Sequence, residues 1–170
     1  MSQPEFSRPV ERDRIGDGNR RIEADAQERQ ALARRFGLVS IAKLEADLSL
    51  SVEGTVIGAA GRMRADIVQS CAVSGEDLPV HIDEPVALRF VPEASRQPDE
   101  EVELSEEDCD EIEYSGTQFD LGEAIAQSLV LAIDPFATGP DADRVRKEKG
   151  LLDEAASGPF AALAALKKRD

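Results

Sequence analysis

The chain has 170 residues, of which 41% are hydrophobic, and this is enough for one domain with a hydrophobic core and additional tails. Aromatic residues make up only 4% and Trp is absent, which argues against the stacking platforms of proteins that bind single-stranded RNA. No apolar run approaches the roughly 18 residues that a membrane span needs. The first residues also lack the apolar core of a secretory signal.

The net charge of −15 is concentrated in one segment. Residues 1–92 carry 15 acidic and 12 basic residues, whereas residues 93–123 carry 13 acidic residues and one base, Arg96. Residues 124–170 carry 7 of each sign. The overall charge speaks against nucleic acid as a partner, because phosphates would be repelled. The first 43 residues are slightly basic, however, so the composition still allows a local basic face.

The N-terminal part predicts one or two short strands followed by a helix. Residues 5–24 contain the strand-like stretches EFSRPV and RRIEA, which the turn GDGN separates. Asp25 and Glu28 have the spacing of a capping box, and Gly37 is suited to end a helix. These signals predict a helix over about residues 26–36.

The middle of the chain predicts an antiparallel meander of three strands. In residues 44–53 the even positions are apolar and the odd positions polar, which is typical of a strand with one wet face. A second strand from Thr55 keeps its apolar residues at odd positions as far as Cys71. After the turn SGEDLP, a third strand runs from about residue 81 to residue 91.

The next segment predicts an acidic loop and then a second main helix. Residues from about 93 to 113 are so acidic that we expect a mobile, solvated loop, closed by a short strand at Glu111–Tyr114. In FDLGEAIAQSLVLAIDPF, Asp120 is suited to cap a helix that reaches about residue 134, and Glu123 to complete a capping box. Pro135 ends this helix.

These elements together predict an α+β fold with an antiparallel, curved, meander-containing sheet and two main helices packed on it. We expect a single domain over residues 1–135, with the acidic loop as an excursion. Residues 136–170 are expected to form a linker and an amphipathic, helical C-terminal tail.

The sequence offers no catalytic or metal site. Cys71 lies ten residues from His81, the only histidine, but no third partner is evident and Cys71 has the parity of the apolar residues, so packing explains it better than catalysis. Cys109 stands among acids, which disfavour a thiolate. The chain has no C-x-x-C pair for zinc and no phosphate-binding loop. We therefore expect no enzyme activity, no cofactor, no small-molecule substrate and, from the reduced cysteines, a cytoplasmic location.

Three stretches resemble the YceD family, the large ribosomal RNA subunit accumulation proteins. They are RADIVQSCAVSGEDLPVHIDEPVALRF, then FDLGEAIAQSLVLAIDP after the acidic loop, and PFAALAALK near the C-terminus. The opening, EFSRPVERDRIG, is similar to that of family members from alphaproteobacteria. The positions that carry the resemblance include Cys71, Asp120, Leu121, Glu123 and Phe160.

The resemblance implies a role in the accumulation, processing or stability of 23S ribosomal RNA, with no established reaction to transfer. Many family members have a second cysteine where this chain has Ser74, and this difference weakens any metal role here. The implied partners are large-subunit rRNA, large-subunit ribosomal proteins, or both.

Two hypotheses for direct contact stay open. In the first, the chain binds rRNA through arginines, which are suited to phosphate by their bidentate geometry. The candidates are Arg20, Arg21, Arg34, Arg35, Arg62 and Arg64. In the second, the chain is an acidic assembly factor or chaperone for a basic large-subunit ribosomal protein. Its candidate contacts are Glu106, Glu107, Asp108, Asp110 and Leu163. The acidic run could also be only a solvated loop.

Overall fold

The computed structural model describes residues 4–93 and 110–149. Most of the predicted acidic loop and the C-terminal tail lie outside these residues. The same holds for five of the candidate residues: Glu106, Glu107, Asp108, Phe160 and Leu163.

The described chain contains seven strands, three α-helices and one 3-10 turn. In chain order they are β1 (Pro9–Glu11), the 3-10 turn (Arg12–Arg14), β2 (Asn19–Glu23), α1 (Ala26–Phe36), β3 (Ser40–Glu53), β4 (Val56–Ser70), β5 (Asp77–Pro92), β6 (Asp110–Tyr114), β7 (Gln118–Asp120), α2 (Leu121–Ala132) and α3 (Ala142–Glu148). The α+β class is therefore as the sequence predicted.

The chain divides into two compact units. The larger unit contains the residues up to 69 and residues 79–134, and the smaller one contains residues 70–78 and those from 135 onward. The larger unit holds both main helices and most of the sheet. The smaller unit holds the turn between β4 and β5 together with α3. The predicted domain boundary after residue 135 stays a prediction.

The main sheet has five strands in the order β2-β3-β4-β5-β6. Strands β2, β3 and β4 pair antiparallel, and β5 follows β4 through a short turn, so the predicted meander is present. The last pair differs, because β6 lies parallel to β5, with Leu88 opposite Asp110 and Pro92 opposite Tyr114. A wholly antiparallel sheet was therefore the wrong prediction. A parallel neighbour needs a connection of a dozen or more residues, and residues 93–109 supply that length.

A second, two-stranded sheet joins the N-terminal segment to the start of α2. β1 pairs antiparallel with β7, and Pro9 lies opposite Asp120. The sequence did not predict this sheet, since strands of three residues carry no readable alternation. β6 agrees with the short strand predicted at residues 111–114 and begins one residue earlier, at Asp110, so residues 110–113 belong to a strand and not to the predicted loop.

Helix α1 spans the predicted residues because both of its ends are specified locally. The Asp25 carboxylate accepts hydrogen bonds from the Gln27 and Glu28 amides, and the Glu28 side chain accepts from the Asp25 amide. Gly37 ends the helix at φ +67°, in the left-handed region that favours glycine. One stripe of the helix, including the fully buried Leu32, packs into the core.

The core lies on one face of the main sheet. Even positions of β3, such as Leu44 and Leu48, and odd positions of β4, such as Met63 and Ile67, are buried, as the alternation predicted. Strands β3 and β5 each begin four residues earlier than expected. Val52, predicted to face the core, is instead 47% exposed at the end of β3.

Candidate functional site

The outer face of the main sheet carries a ladder of acidic and basic side chains. Across β2, β3 and β4 the register aligns Arg21, Asp47 and Arg62 in one row. In the next row Glu45 lies opposite Arg64. Opposite charges that face each other across strands stabilise the pairing. This ladder contains three of the six arginines that the sequence proposed for RNA.

Glu45 is the centre of the ladder and is only 5% exposed. Its carboxylate lies 2.8 Å from Lys43 Nζ, 2.9 Å from Arg21 and 3.6 Å from Arg64. The hydrogen bond from Lys43, followed by the charges of Lys43, Arg21 and Arg64, lowers the pKa of Glu45. Several cations are thus held around one ionised carboxylate.

The remaining ladder arginines are also paired within the chain. Arg62 Nε donates to Asp83 Oδ1 at 2.7 Å, and Arg64 Nη1 donates to Asp47 Oδ2 at 3.0 Å. Arg62 and Arg64 keep 51% and 35% of their side chains exposed. The positive charge on this face is therefore largely compensated by neighbouring carboxylates.

The three other candidate arginines have different surroundings. Arg20 donates to the carbonyl oxygens of Ile15 and Asn19, so it fastens the loop before β2. Arg35 donates to Glu5 and, with both Nη atoms, to Glu123. Arg34 is exposed in the last turn of α1 and has no ion pair with any residue in the described part of the chain. The structure does not gather the six arginines into one patch.

Asp120 joins the N-terminal segment to helix α2. Its carboxylate accepts from the Gly122 and Glu123 amides, as the predicted cap requires. The same carboxylate accepts from Ser7 Oγ at 2.5 Å and from the Arg8 amide at 2.7 Å. One side chain thus satisfies donors of two segments that lie 113 residues apart in sequence.

The neighbours of Asp120 in the motif D-L-G-E complete this joint. Leu121 is fully buried. A Cβ on Gly122 would lie 2.6 Å from the Phe6 carbonyl oxygen and 2.9 Å from the Arg8 amide nitrogen, so only glycine allows this close approach. Glu123 was predicted to complete a capping box, but its carboxylate instead accepts from Arg35 and Gln127. These motif positions therefore hold the fold together.

A second contact of the N-terminal segment, between Arg8 and helix α1, was not predicted. The two Nη atoms of Arg8 donate to the two carboxylate oxygens of Glu28, at 2.6 and 2.8 Å. The guanidinium also lies 4.6 Å from the centre of the Phe6 ring. The sequence assigned Glu28 only to the cap of α1, and nothing in the spacing of Arg8 and Glu28 indicates that they meet.

Cys71 is buried at the start of the turn that follows β4. Its Sγ accepts from the amides of Ser74 and Gly139, each at 3.3 Å. Hydrogen bonds from Ser74, and then from Gly139, lower the pKa of Cys71 to about 6, although burial acts in the opposite direction. The burial of Cys71 agrees with the packing role predicted for it. The hydrogen bonds from two backbone amides to its sulfur were not predicted.

His81 lies beside a carboxylate of the neighbouring strand β4. His81 is exposed, and its Nδ1 lies 2.6 Å from Asp66 Oδ1. Within residues 4–93 and 110–149, no cluster of three or more His, Cys, Asp or Glu side chains is arranged to hold a metal ion. No helix in those residues is long and apolar enough to cross a membrane.

A groove of about 530 Å³ opens between β5 and the end of α2, within the larger unit. We call it the β5–α2 groove. Its lining includes Met63, Val86, Leu131 and Ala132, and the carboxylates of Glu84 and Asp110. The sequence proposed Asp110 for partner binding but gave no hint of the groove. The available signal was Glu84, an acid at an even position in the otherwise apolar row of β5.

Residues 59–167 match the family described as large ribosomal RNA subunit accumulation protein YceD. The chain belongs to this family. The match covers more than half of the chain, and it begins inside β4, after β2, α1 and β3. No match to a curated protein or to a solved structure was found. The family description connects the YceD chain with large-subunit ribosomal RNA and names no reaction.

Proposed function

We propose that this YceD protein supports the accumulation of 23S rRNA without catalysing a reaction, by binding a basic large-subunit ribosomal protein. The observation that carries the proposal is that most of the candidate arginines are paired with carboxylates, while acidic residues are in excess over the whole chain. The arginines offered for RNA are mostly held by carboxylates of the same chain, with Arg62 on Asp83 and Arg35 on Glu5 and Glu123. The chain as a whole has 35 acidic residues against 20 basic ones.

Physical chemistry favours a basic partner for such a surface. A carboxylate beside an arginine cancels much of the local positive potential and repels a phosphate, so the paired arginines attract RNA only weakly. An excess of acidic groups, by contrast, attracts a basic protein and keeps it away from incorrect contacts with rRNA. A factor of this kind would act in the cytoplasm, where large-subunit rRNA is assembled with its proteins.

Direct rRNA contact is the second proposal, and the exposure of two arginines favours it. Arg34 is exposed and free of ion pairs in the described part of the chain, and Arg62 keeps half of its side chain exposed. These two residues, with Arg20, Arg21, Arg35 and Arg64, would bind phosphate groups. Binding of this kind is expected to weaken steeply as the salt concentration rises.

A binding experiment separates the two proposals. The purified chain is titrated with fragments of 23S rRNA and, separately, with purified large-subunit ribosomal proteins over a series of salt concentrations. We expect tight binding to at least one basic ribosomal protein, with unchanged affinity in Arg34→Gln. The control Lys149→Gln removes one positive charge from another exposed position.

The opposite result would favour RNA. If rRNA bound tightly with a steep salt dependence, and if Arg34→Gln weakened it several-fold while Lys149→Gln did not, the protein-binding proposal would be wrong. Arg34 is the most informative of the six arginines because its replacement breaks no ion pair between described residues. Replacement of Arg35 would also disturb its bonds to Glu5 and Glu123 and so confuse binding with stability.

A further inference from the structure

The β5–α2 groove has an apolar floor and one prominent apolar side chain at its rim. Met63 and Val86 are buried beneath it, and Ala132 is half-buried beside them. Leu131 lines the groove and is nevertheless 74% exposed. An exposed leucine beside an apolar recess provides apolar area that a partner chain would bury favourably.

The charged groups of the groove are all acidic and have no partner inside the described chain. Glu84 and Asp110 both line it, and neither makes an ion pair with a residue in the ranges 4–93 and 110–149. This contrasts with the outer face of the sheet, where Asp47 and Asp83 are paired with arginines. In the sequence, Asp110 directly follows the stretch EEDC, three of whose four residues are acidic.

We propose that the β5–α2 groove binds a short amphipathic segment of a basic protein, which places apolar side chains on its floor and lysines or arginines against Glu84 and Asp110. The inference rests on the proposed function, since it specifies where and how the basic protein partner would be held. Opposite charges at the rim would fix the direction of the segment, and the apolar contacts would supply most of the affinity.

The size of the groove limits the kind of partner. A volume of about 530 Å³ lies in the range of sites that take a small ligand or a few side chains. It is too small for the face of a folded domain. A helix with apolar residues at positions i, i+3, i+4 and i+7 presents a stripe of suitable width, as in other helix-in-groove complexes.

The test uses the full chain and a fluorescent synthetic peptide of about 14 residues, with leucines at helical spacing and lysines elsewhere. Fluorescence anisotropy measures its affinity. We expect Leu131→Asp to weaken binding by about tenfold or more, because a charge would be buried against the leucines. Its control is Val130→Asp, since Val130 is exposed on the same helix, at 42%, but does not line the groove.

A second pair of variants tests the charges. We expect Glu84→Lys to weaken binding several-fold, and more at low than at high salt. Glu53→Lys makes the same change in net charge at an exposed position outside the groove and should have little effect. Circular dichroism and thermal unfolding confirm that each variant is folded. A peptide with glutamates in place of the lysines should not bind.

Several results would overturn the proposal. These are equal affinity in Leu131→Asp and Val130→Asp, equal binding of the glutamate peptide, or a groove that binds single-stranded RNA instead. Peptide binding that appears only after removal of residues 159–170 would assign the groove to the chain's own end.

The groove and the proposed function can fail separately. A large-subunit ribosomal protein that binds the wild type and Leu131→Asp equally well would exclude the groove and leave the proposed function standing. Peptide binding without binding of any ribosomal protein would support the groove and contradict the proposed function.

Discussion

At the residue scale, Glu28 takes part in two stabilising arrangements at once. Its carboxylate caps helix α1 and also accepts two hydrogen bonds from Arg8. The bond from Arg8, with the bond to the Asp25 amide as a smaller cause, lowers the pKa of Glu28 below 4.5. A lowered folded-state pKa means that the ionised form is stabilised by folding. The contribution is therefore complete above about pH 4.5 and is lost as the pH falls through the folded-state pKa.

Replacement of Glu28 should remove this pH dependence. We expect Glu28→Gln to lower the free energy of unfolding by about 1 kcal/mol at neutral pH, a modest value because solvent screens the pair. The difference from the wild type should shrink toward pH 3, as measured by urea unfolding. Glu23→Gln, on the exposed side of β2, is the matched control. A difference that stays constant from pH 7 to pH 3 would contradict this account.

Gly122 is a position where the usual preference of helices should be reversed. Alanine normally stabilises a helix by about 1 kcal/mol relative to glycine. Here the added Cβ would lie 2.6 Å from the Phe6 carbonyl oxygen, so the N-terminal segment would have to move. We expect Gly122→Ala to destabilise the protein by about 1–3 kcal/mol in chemical unfolding. Gln127→Ala, at an exposed site of the same helix, should be nearly neutral, and a stabilised Gly122→Ala would refute the close packing.

Cys71 should behave as a thiolate that reagents reach slowly. With a pKa of about 6, most of the thiol is ionised at neutral pH. Its burial, however, limits access. In a Cys109→Ser background, the rate of alkylation by iodoacetamide should therefore level off by about pH 7. It should also rise sharply on addition of urea. A rate that continues to increase up to pH 9 would indicate an ordinary thiol.

At the element scale, β6 is held by more than its pairing with β5. The Tyr114 hydroxyl donates to the Thr55 carbonyl oxygen at 2.5 Å, which ties the edge strand to the turn between β3 and β4. The same hydroxyl bonds to Arg12 and raises the pKa of that residue. The Tyr114 ring packs edge-on against Phe119 of β7, with centroids 6.2 Å apart.

Removal of this hydroxyl should loosen the edge of the sheet. We expect Tyr114→Phe to lower the free energy of unfolding by about 1 kcal/mol. The amides of β6 should exchange with solvent faster than those of β3 and β4, because an edge strand can open locally. Hydrogen exchange followed by NMR measures both. Uniform protection of all strands in the variant would show that the hydroxyl does not anchor β6.

The elements also show what could be predicted from sequence and what could not. Helix α1 was predicted to the residue because Asp25, Glu28 and Gly37 specify it within one short segment. The alternation of β3 and β4 gave the correct core face for the same reason. The parallel direction of β6 and the β1–β7 pair depend on residues far apart in sequence, for which no local pattern exists.

The surroundings of the candidate site residues likewise depend on residues far apart in sequence. Arginine was recognised as a residue type, but its partners, such as Asp83 for Arg62, lie on neighbouring strands and follow only from the register. The motif D-L-G-E was recognised as a family feature, but its role depends on Ser7 and Arg8. Residue chemistry could therefore be predicted, whereas the pairing that decides its availability could not.

At the scale of the whole molecule, the family match and the folding unit have different extents. Residues 59–167 match the family, but β2, α1 and β3 lie before them and supply Leu32, Leu44 and Leu48 to the core. A fragment of residues 59–167 would expose the apolar residues of β4 and lose the partners of Glu123 and Asp120. We expect this fragment to be unfolded, with poor dispersion in a two-dimensional NMR spectrum. A well-dispersed spectrum like that of the full chain would contradict this.

The joint at Asp120 also sets an order of events during synthesis. Ser7 leaves the ribosome well before its partner Asp120, which follows 113 residues later. Until then β1 has no β7 to pair with, and the contacts that bury Phe6 in the folded chain are incomplete. Because domains are generally completed as their last contributing residues emerge, this family member closes its fold late. An unfinished chain would therefore expose the segment around Ser7 and β1 to the chaperones and proteases that act near the ribosomal exit.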